Sequence, residues 1–418
     1  MVAALTLSAA SASADALGPI VGAFAEAKPT IDARLRFESV DQTPLTEEAH
    51  ADTLRLRLGF ETGKAWSTAL LAEGELVTPI GDDYRPDNSR AENPRSPVVA
   101  DPESYEINRL QLVNTSIPGT TVTIGRQRIL LDDQRFVGNV GWRQNEQTYD
   151  AVRIVNKTLP ALTIDATYLN QVNRIFGPDS PQGRYTGDGV LANVAWQSGF
   201  GKLTGFGYLL DFDALTTFPG LTAPQAAALN PVRVSTQTYG LRFAGERPLR
   251  GIKLGYAASY ARQSNYAANP LRFDLDYYSL EATATYRQYS LTLGQEVLEG
   301  DGNVGFSTPL ATLHRFQGWA DKFLTTPADG IDDRYAGIGC LMKGVAMLDT
   351  LSVSVVYHDF ESQRRAVELG SELNVQMQAK YRSFLALVKY ADYDAKEGAT
   401  PVQYRDTTKF WVQVEYVW

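Results

Sequence analysis

The stretch "TIDARLRFES" (residues 30–39) sets Ile31, Ala33, Leu35 and Phe37 on one side of an extended chain and Asp32, Arg34, Arg36 and Glu38 on the other. Successive side chains of a strand point to opposite faces, so the pattern is a strand with one apolar and one charged face. The segment "DTLRLRLGFE" (52–61) repeats the device, with Leu54, Leu56, Leu58 and Phe60 against Arg55, Arg57 and Glu61. One such strand suits a soluble sandwich. A long series of them suits a membrane barrel, where lipid-facing and water-facing residues take turns.

The series runs to the last residue. Further segments are read at 65–77, 105–114, 120–130, 147–156, 161–173, 188–197, 201–212, 236–245, 251–263, 274–286, 288–298, 333–343, 350–360, 371–381, 383–393 and 406–418, eighteen in all. Tight links at 62–65, 116–119, 158–161, 198–201, 246–251, 287–288, 344–349 and 381–382 alternate with longer ones at 39–51, 78–104, 131–146, 174–187, 213–235, 264–273, 299–332, 361–370 and 394–405. Short periplasmic turns alternating with long external loops mark outer-membrane barrels. The sequence thus predicts an all-β fold, an 18-stranded antiparallel transmembrane β-barrel over residues 30–418 with both ends on the periplasmic side. Closure is what the bilayer demands, because an unpaired amide in hydrocarbon costs several kcal/mol.

Composition agrees. No apolar run reaches the roughly 18 residues of a membrane helix, while 21 Tyr, 17 Phe and 6 Trp supply material for interfacial aromatic girdles. A net charge of -9 and the lack of any basic run argue against a nucleic-acid partner. The lone Cys340 forms no internal disulfide. At the N-terminus, "MVAALTLSAASASADALG" reads as a secretory signal over 1–14, cleaved after Ala12-Ser13-Ala14, followed by a periplasmic segment over 15–29. No Lys or Arg precedes its apolar stretch, which points to a start upstream of Met1. The last strand, "TTKFWVQVEYVW", places Phe410, Val412, Val414, Tyr416 and Trp418 on one face and Lys409, Trp411, Gln413 and Glu415 on the other. Its terminal Trp418 resembles the C-terminal aromatic signal read by the outer-membrane assembly machinery.

With the apolar faces in outer-membrane lipid, the other faces line a lumen. Arg34, Arg36, Arg55, Arg57, Arg109 and Arg153 face inward by parity. Gly125 breaks the parity of the fifth strand, so Arg126 and Arg128 either turn inward on a bulge or sit above the membrane. Glu73, Glu75, Asp165, Glu281, Glu296 and Glu372 also face inward. Two readings compete: a ladder of ion pairs bracing the wall, or a selectivity track for an anionic solute. The track is favoured, since rings of Arg suit anion passage and the guanidinium fork suits carboxylates.

Catalysis is not expected. Ser307, His314 and Asp321 form a Ser-His-Asp set on paper only, since nothing in the sequence holds them in register and no nucleophile elbow or metal-spaced cluster is present. His50 and His358 stand apart from these. Asp132, Asp133, Asp332 and Asp333 are hard-oxygen donors for a cation, but such acids more often pair with neighbouring Arg. No cofactor or metal is expected. The stretch "TPLATLHRFQGWADKF" (308–323) falls in the longest external link. Phe316, Trp319 and Phe323 are expected to anchor it over or into the pore mouth, with His314, Arg315, Asp321 and Lys322 fixing its shape by hydrogen bonds.

The segments "GRQRILLDDQRFVGNVGWRQNEQTYDAVRI" (125–154), "YLNQVNRIFG" (168–177), "YARQSNYAANP" (260–270), "GQEVLEGDGNVGFSTPLATLHRFQGWADKFLTTPADGIDDRY" (294–335), "YHDFESQ" (357–363) and "VKYADYDA" (388–395) together resemble the alginate export family of outer-membrane porins. The resemblance implies a monomeric eighteen-stranded barrel with an electropositive constriction through which an acidic polysaccharide leaves the cell. The expected function is a channel for anionic sugars or polysaccharide. The alternative is a general or nutrient-uptake porin with weak charge selectivity, and a third reading is a structural barrel plugged by its loops.

Overall fold

The computed structural model describes residues 17–81, 84–86, 95–215, 222–396 and 405–418. Eighteen strands form one closed sheet: β1 (Lys28–Gln42), β2 (Ala49–Glu61), β3 (Thr68–Pro79), β4 (Ser104–Asn114), β5 (Thr120–Gln127), β6 (Thr148–Asn156), β7 (Leu162–Asn173), β8 (Arg184–Ser198), β9 (Gly201–Phe212), β10 (Thr236–Leu249), β11 (Ile252–Asn265), β12 (Asp274–Tyr286), β13 (Tyr289–Leu298), β14 (Ile331–Val345), β15 (Leu348–Glu361), β16 (Glu368–Tyr381), β17 (Phe384–Ala395) and β18 (Thr407–Val417). Each pairs antiparallel with its neighbours in sequence, and β1 closes on β18 with Asp32 opposite Val417 and Gln42 opposite Thr407.

The eighteen segments read from the sequence match these strands one for one, and the differences lie at their ends. The link expected at 39–51 shrinks to 43–48, because the ladder continues past Ser39, opposite His50. "ERPLRG" reads as a turn by composition, yet β10 runs on to Leu249 opposite Ile252, leaving a two-residue turn. Backbone pairing, once started, extends until the chain must reverse, and polar or proline content does not stop it at a sheet end.

The surface is the inverse of a soluble protein's. Leu35, Leu58, Leu112, Val194, Leu241, Leu291 and Ile338 point outward and are exposed, while Arg34, Arg36, Arg55 and Arg57 are buried inside. Exposed rings flank this apolar band: Trp66, Trp196, Phe200, Tyr286, Tyr289, Phe384 and Trp418 at the end with the short turns, and Tyr105, Tyr168, Tyr239, Tyr260, Tyr278 and Tyr357 toward the other. This is the face a barrel turns to lipid. No helix among the described residues is long and apolar enough to cross a membrane. A short helix over 17–25 sits at the turn end, with Phe24 6.1 Å from the ring of Phe60 and the Gly63 N–H donating to the Ala23 carbonyl at 2.8 Å. The expected signal over 1–14 lies outside the described residues.

The hydrophobic core lies inside the barrel. The links 128–147 and 299–330 fold inward and meet, joined by a bridge between Val137 and Leu310 and by the Gly138 N–H donating to Leu310 O at 2.8 Å. Around them Tyr149, Phe206, Tyr277, Phe306, Phe323, Phe360, Tyr393 and Trp411 pack from wall and loops.

Candidate functional site: the barrel interior

The inward arginines are met by acids and by loop carbonyls. Arg34 donates to Glu415 at 3.1 Å and to the carbonyls of Gly141 and Arg143 at 3.1 and 3.2 Å. Arg36 donates to Gln413 and, at 2.6 Å, to the Trp142 carbonyl, and its guanidinium lies 4.2 Å over the Trp142 ring. Arg55 bonds Asp32 and Glu415, and Arg57 bonds Glu75 and approaches Glu146 at 3.6 Å. Arg109 grips Glu73 through two parallel bonds of 2.9 and 2.7 Å, and Arg153 pairs with Asp165. Buried charges are tolerated when paired and hydrogen-bonded, so this half of the wall is a network of ion pairs holding the 128–147 loop against β1 and β2. The bracing ladder, the less favoured of the two readings, accounts for most of these contacts.

Two arginines behave differently from their expected pairing. Gly125, at φ 114°, does not break parity: Ile124 is outward and Arg126 lies in register with the outward Leu110. Arg126 therefore faces away from the lumen, closed by Asp150 at 2.7 Å, and is no lumen residue. Arg128 lies just past the strand end and turns to the buried Glu146, its Nε donating at 2.7 Å. Burial alone would raise the Glu146 carboxyl, but Arg57 and Arg128 hold it down at about 2.

The second loop carries the densest cluster. His314 Nδ1 lies 2.7 Å from Asp321 Oδ1, and its Nε2 lies 2.7 Å from Lys389 Nζ. An ammonium has only protons to offer, so Nε2 accepts and the ring is neutral with its proton on Nδ1, donated to Asp321. Burial pushes His314 well below its ordinary value, consistent with that state. Burial would raise Asp321, yet His314, Lys409 and Arg143 around it hold it well below the usual carboxylate range. Lys409 and Arg143 reach it at 2.9 and 3.2 Å. Lys389 itself sits 3.7 Å over the Trp319 ring and 4.1 Å over Trp142, and Trp142 stacks on His314 at 4.4 Å.

The remaining predicted loop residues complete the seal. Lys322 donates to Thr407 at 2.6 Å, and burial, then Lys409, pulls its ammonium down to about 7. The Trp319 and Ala320 N–H groups donate to Glu372. Arg315 donates to the Asp133 carbonyl at 3.3 Å, and Phe316 receives the guanidinium of Arg135 at 4.8 Å. "TPLATLHRFQGWADKF" thus lies within the barrel against β17 and β18, deeper than a pore mouth. Sequence reasoning set Lys409 and Trp411 on the inner face and marked 131–146 as a long link, but missed Lys389, the contacts of all three with this stretch, and the inward fold of 128–147. Parity already places all three wall residues inward.

Of the Ser-His-Asp set, His314 and Asp321 pair at 2.7 Å, and no hydrogen bond among the described residues joins Ser307 to them. The Ser307 backbone exchanges two hydrogen bonds of 2.8 Å with the Gln263 side chain, and the His314 nitrogen that would serve a nucleophile faces Lys389 instead. The exposed His50 approaches Glu48 at 3.5 Å. Asp132 is taken by Lys202, Asp133 by Arg242, Asp332 by Arg334 and Asp333 by His358. Among the described residues no group of three or more His, Cys, Asp or Glu could hold a metal ion.

From β10 to β14 the inner wall is plainer: between Arg242, Glu281, Glu296 and Asp333 it carries Ser259, Ser279, Thr283, Ser290 and Thr292 with Gly255, Gly337 and Gly339. Thr283 and Thr292 bond each other at 3.0 Å. At the turn end of this wall an open cleft of about 880 Å³ is lined by Lys253, Thr285, Ser290 and Lys343 among others.

No protein-family model matches the chain, and no curated protein matches it. Solved structures do. Pseudomonas aeruginosa OpdK with vanillate aligns with a TM-score of 0.67 at 13% identity, over 95% of this chain and 100% of that one. OccK2 (OpdF) of the same organism in complex with glucuronate aligns at 0.65 and 13%, covering 95% and 99%. Acinetobacter baumannii OccAB3 aligns at 0.70 and 13%, covering 94% and 99%. At such identity the likeness is one of fold: this chain has the closed 18-stranded antiparallel barrel of outer-membrane porin structures.

Proposed function

We propose that the chain is an integral outer-membrane channel for the uptake of small solutes, acting as a monomer and assembled through recognition of Trp418. The observation that carries this reading is an 18-stranded barrel narrowed from within by two loops that leave the Ser- and Thr-lined wall uncovered at its turn end. Eighteen strands enclose an aqueous space unless loops fill it. Here they reach β1 on one side and β10, β11 and β13 on the other, and leave the turn end open.

The preferred solutes are small and anionic, with modest selectivity. Most inward cations are already matched by carboxylates, which weakens any long-range preference. Lys343, which lines the open cleft, favours an anion over a neutral solute of equal size. Two of the solved barrels with this fold hold vanillate or glucuronate, solutes of this kind. Alginate export, which the family resemblance implies, is the weaker reading: no family model supports it, and an interior with its loops tied to β1, β2, β17 and β18 favours monomers over a polymer.

The test is reversal potential in a salt gradient across a planar bilayer, followed by addition of glucuronate and of alginate oligomers. The expected result is a small shift toward anions, permeation of glucuronate and no block by the oligomers. Strong anion selectivity with oligomer block would restore the polysaccharide reading, and absence of conductance would leave a plugged structural barrel.

A further inference from the structure

At the ends of the strands, three outward arginines near the external loops and three at the turns find different partners. Arg126, Arg262 and Arg334 face outward near the external loops, and each is closed by a carboxylate, Asp150, Asp274 and Asp332 respectively, at 2.5 to 2.7 Å. At the periplasmic rim, Arg247, Arg287 and Arg382 have no carboxylate partner among the described residues. Each instead lies over an aromatic ring: Arg247 at 4.5 Å from Phe200, Arg287, which also borders the open cleft, at 5.3 Å from Tyr286, and Arg382 at 5.2 Å from Tyr381. Phe200 and Tyr286 belong to the exposed lower girdle, and Tyr381 shares the outward parity of Met377. The nearby Asp349 accepts from the Arg382 backbone N–H, not from its side chain.

A girdle ring marks the depth where hydrocarbon gives way to headgroups. A guanidinium resting on it keeps its stem on apolar surface and its fork at the phosphate layer. That fork matches a phosphate bidentately, and cations near an anionic leaflet gain from it. Arg247 lies near the end of β10 beside Phe200 of the β8–β9 turn, and Arg287 and Arg382 lie in the β12–β13 and β16–β17 turns, so the three form an arc around part of the rim.

We propose that this arc is a docking surface for anionic phospholipid headgroups at the periplasmic face, each Arg–aromatic pair taking one phosphodiester. The proposal rests on the outward face lying in lipid, as the channel reading requires, and adds a lipid preference to it. Residue chemistry selects the partner: unpaired guanidinium forks on an apolar ledge fit a headgroup whose own tails continue down the lipid-facing wall.

Native mass spectrometry of the full chain, refolded and equilibrated with equal phosphatidylglycerol and phosphatidylethanolamine, tests it. The expected result is several-fold preferential retention of phosphatidylglycerol, falling to near parity in the R247Q/R287Q/R382Q variant and persisting under excess inorganic phosphate. Equal retention of the two lipids by the unaltered barrel, or an unchanged preference in the triple variant, overturns the proposal. Full displacement by phosphate also overturns it, in favour of a free-anion site. Should the triple variant lose its heat-modifiable folded band, Arg287→Gln alone, in a two-residue turn, gives the same reading as the loss of about one retained lipid. An unaltered chain that inserts into no bilayer breaks the channel reading and this proposal together. A folded, inserted barrel without the preference breaks this proposal alone.

Discussion

Between β1 and β7 the inner wall carries Arg34, Arg36, Arg55, Arg57, Glu73, Glu75, Arg109, Arg153 and Asp165, and from β10 to β14 it is plainer, with Arg242, Glu281, Glu296 and Asp333 spaced among serines, threonines and glycines. The charged side is buried under a loop, whereas the plain side is covered only toward its external end and stays open at the turns. Inside a barrel, then, a high density of charge need not mark the solute's route. Each guanidinium that bonds a loop carbonyl helps fix that loop, so the arginines serve as masonry.

The contrast can be broken most directly by deleting residues 306–326. The deletion removes His314, Trp319, Asp321 and Lys322 from the wall, and conductance in planar bilayers should rise several-fold; an unchanged conductance in a folded barrel would mean this loop does not limit the path. Next in size, Arg57→Met leaves Glu75 and Glu146 without their shared cation, and loss of one member of a buried pair costs about 3–5 kcal/mol. Urea unfolding in vesicles measures it. Leu56→Arg, on the lipid side of the same strand, should cost roughly 2–4 kcal/mol, so both faces of β2 are sensitive, one to losing charge and the other to gaining it.

Smaller effects sharpen the comparison. Lys322, at about 7, gives up its proton across neutral pH, so anion preference should weaken between pH 6 and 8 and become flat in Lys322→Met. The sign for stability follows: between about 7 and the ordinary 10.5 the unfolded chain holds the proton and the folded chain does not, so stability rises with pH through that window. On the plain wall, Thr283→Val removes one bond to Thr292 and should cost only about 1 kcal/mol with conductance unchanged. A large change there would show that wall to be more than an open margin.

The fold was legible because a strand's period of 2 is local: Ile31, Ala33 and Leu35 against Asp32, Arg34 and Arg36 already states which side meets lipid. Parity also placed Arg55, Glu73 and Glu372 inside. It could not say what those side chains meet, since Arg34 and Trp142, or Lys389 and His314, are brought together by loops with no period of their own. The aromatics of 308–323 signalled a packed loop, and its depth became visible only with Trp142 and Trp411 beside it. Arg126 was misplaced because Gly125 suggested a bulge where the strand simply continues.

The seam between β1 and β18 has a consequence in time. Arg34 and Arg55 both need Glu415, and the backbone of β1 pairs with the last strand made. Contacts between such distant parts of a chain form late and slowly. The first strand must therefore wait, edge unpaired, for the whole of the rest, and the lumen's innermost ion pairs cannot exist before the wall is shut. Closure and the finishing of the interior are one event, so a chain cut short within β18 should leave no half-built channel.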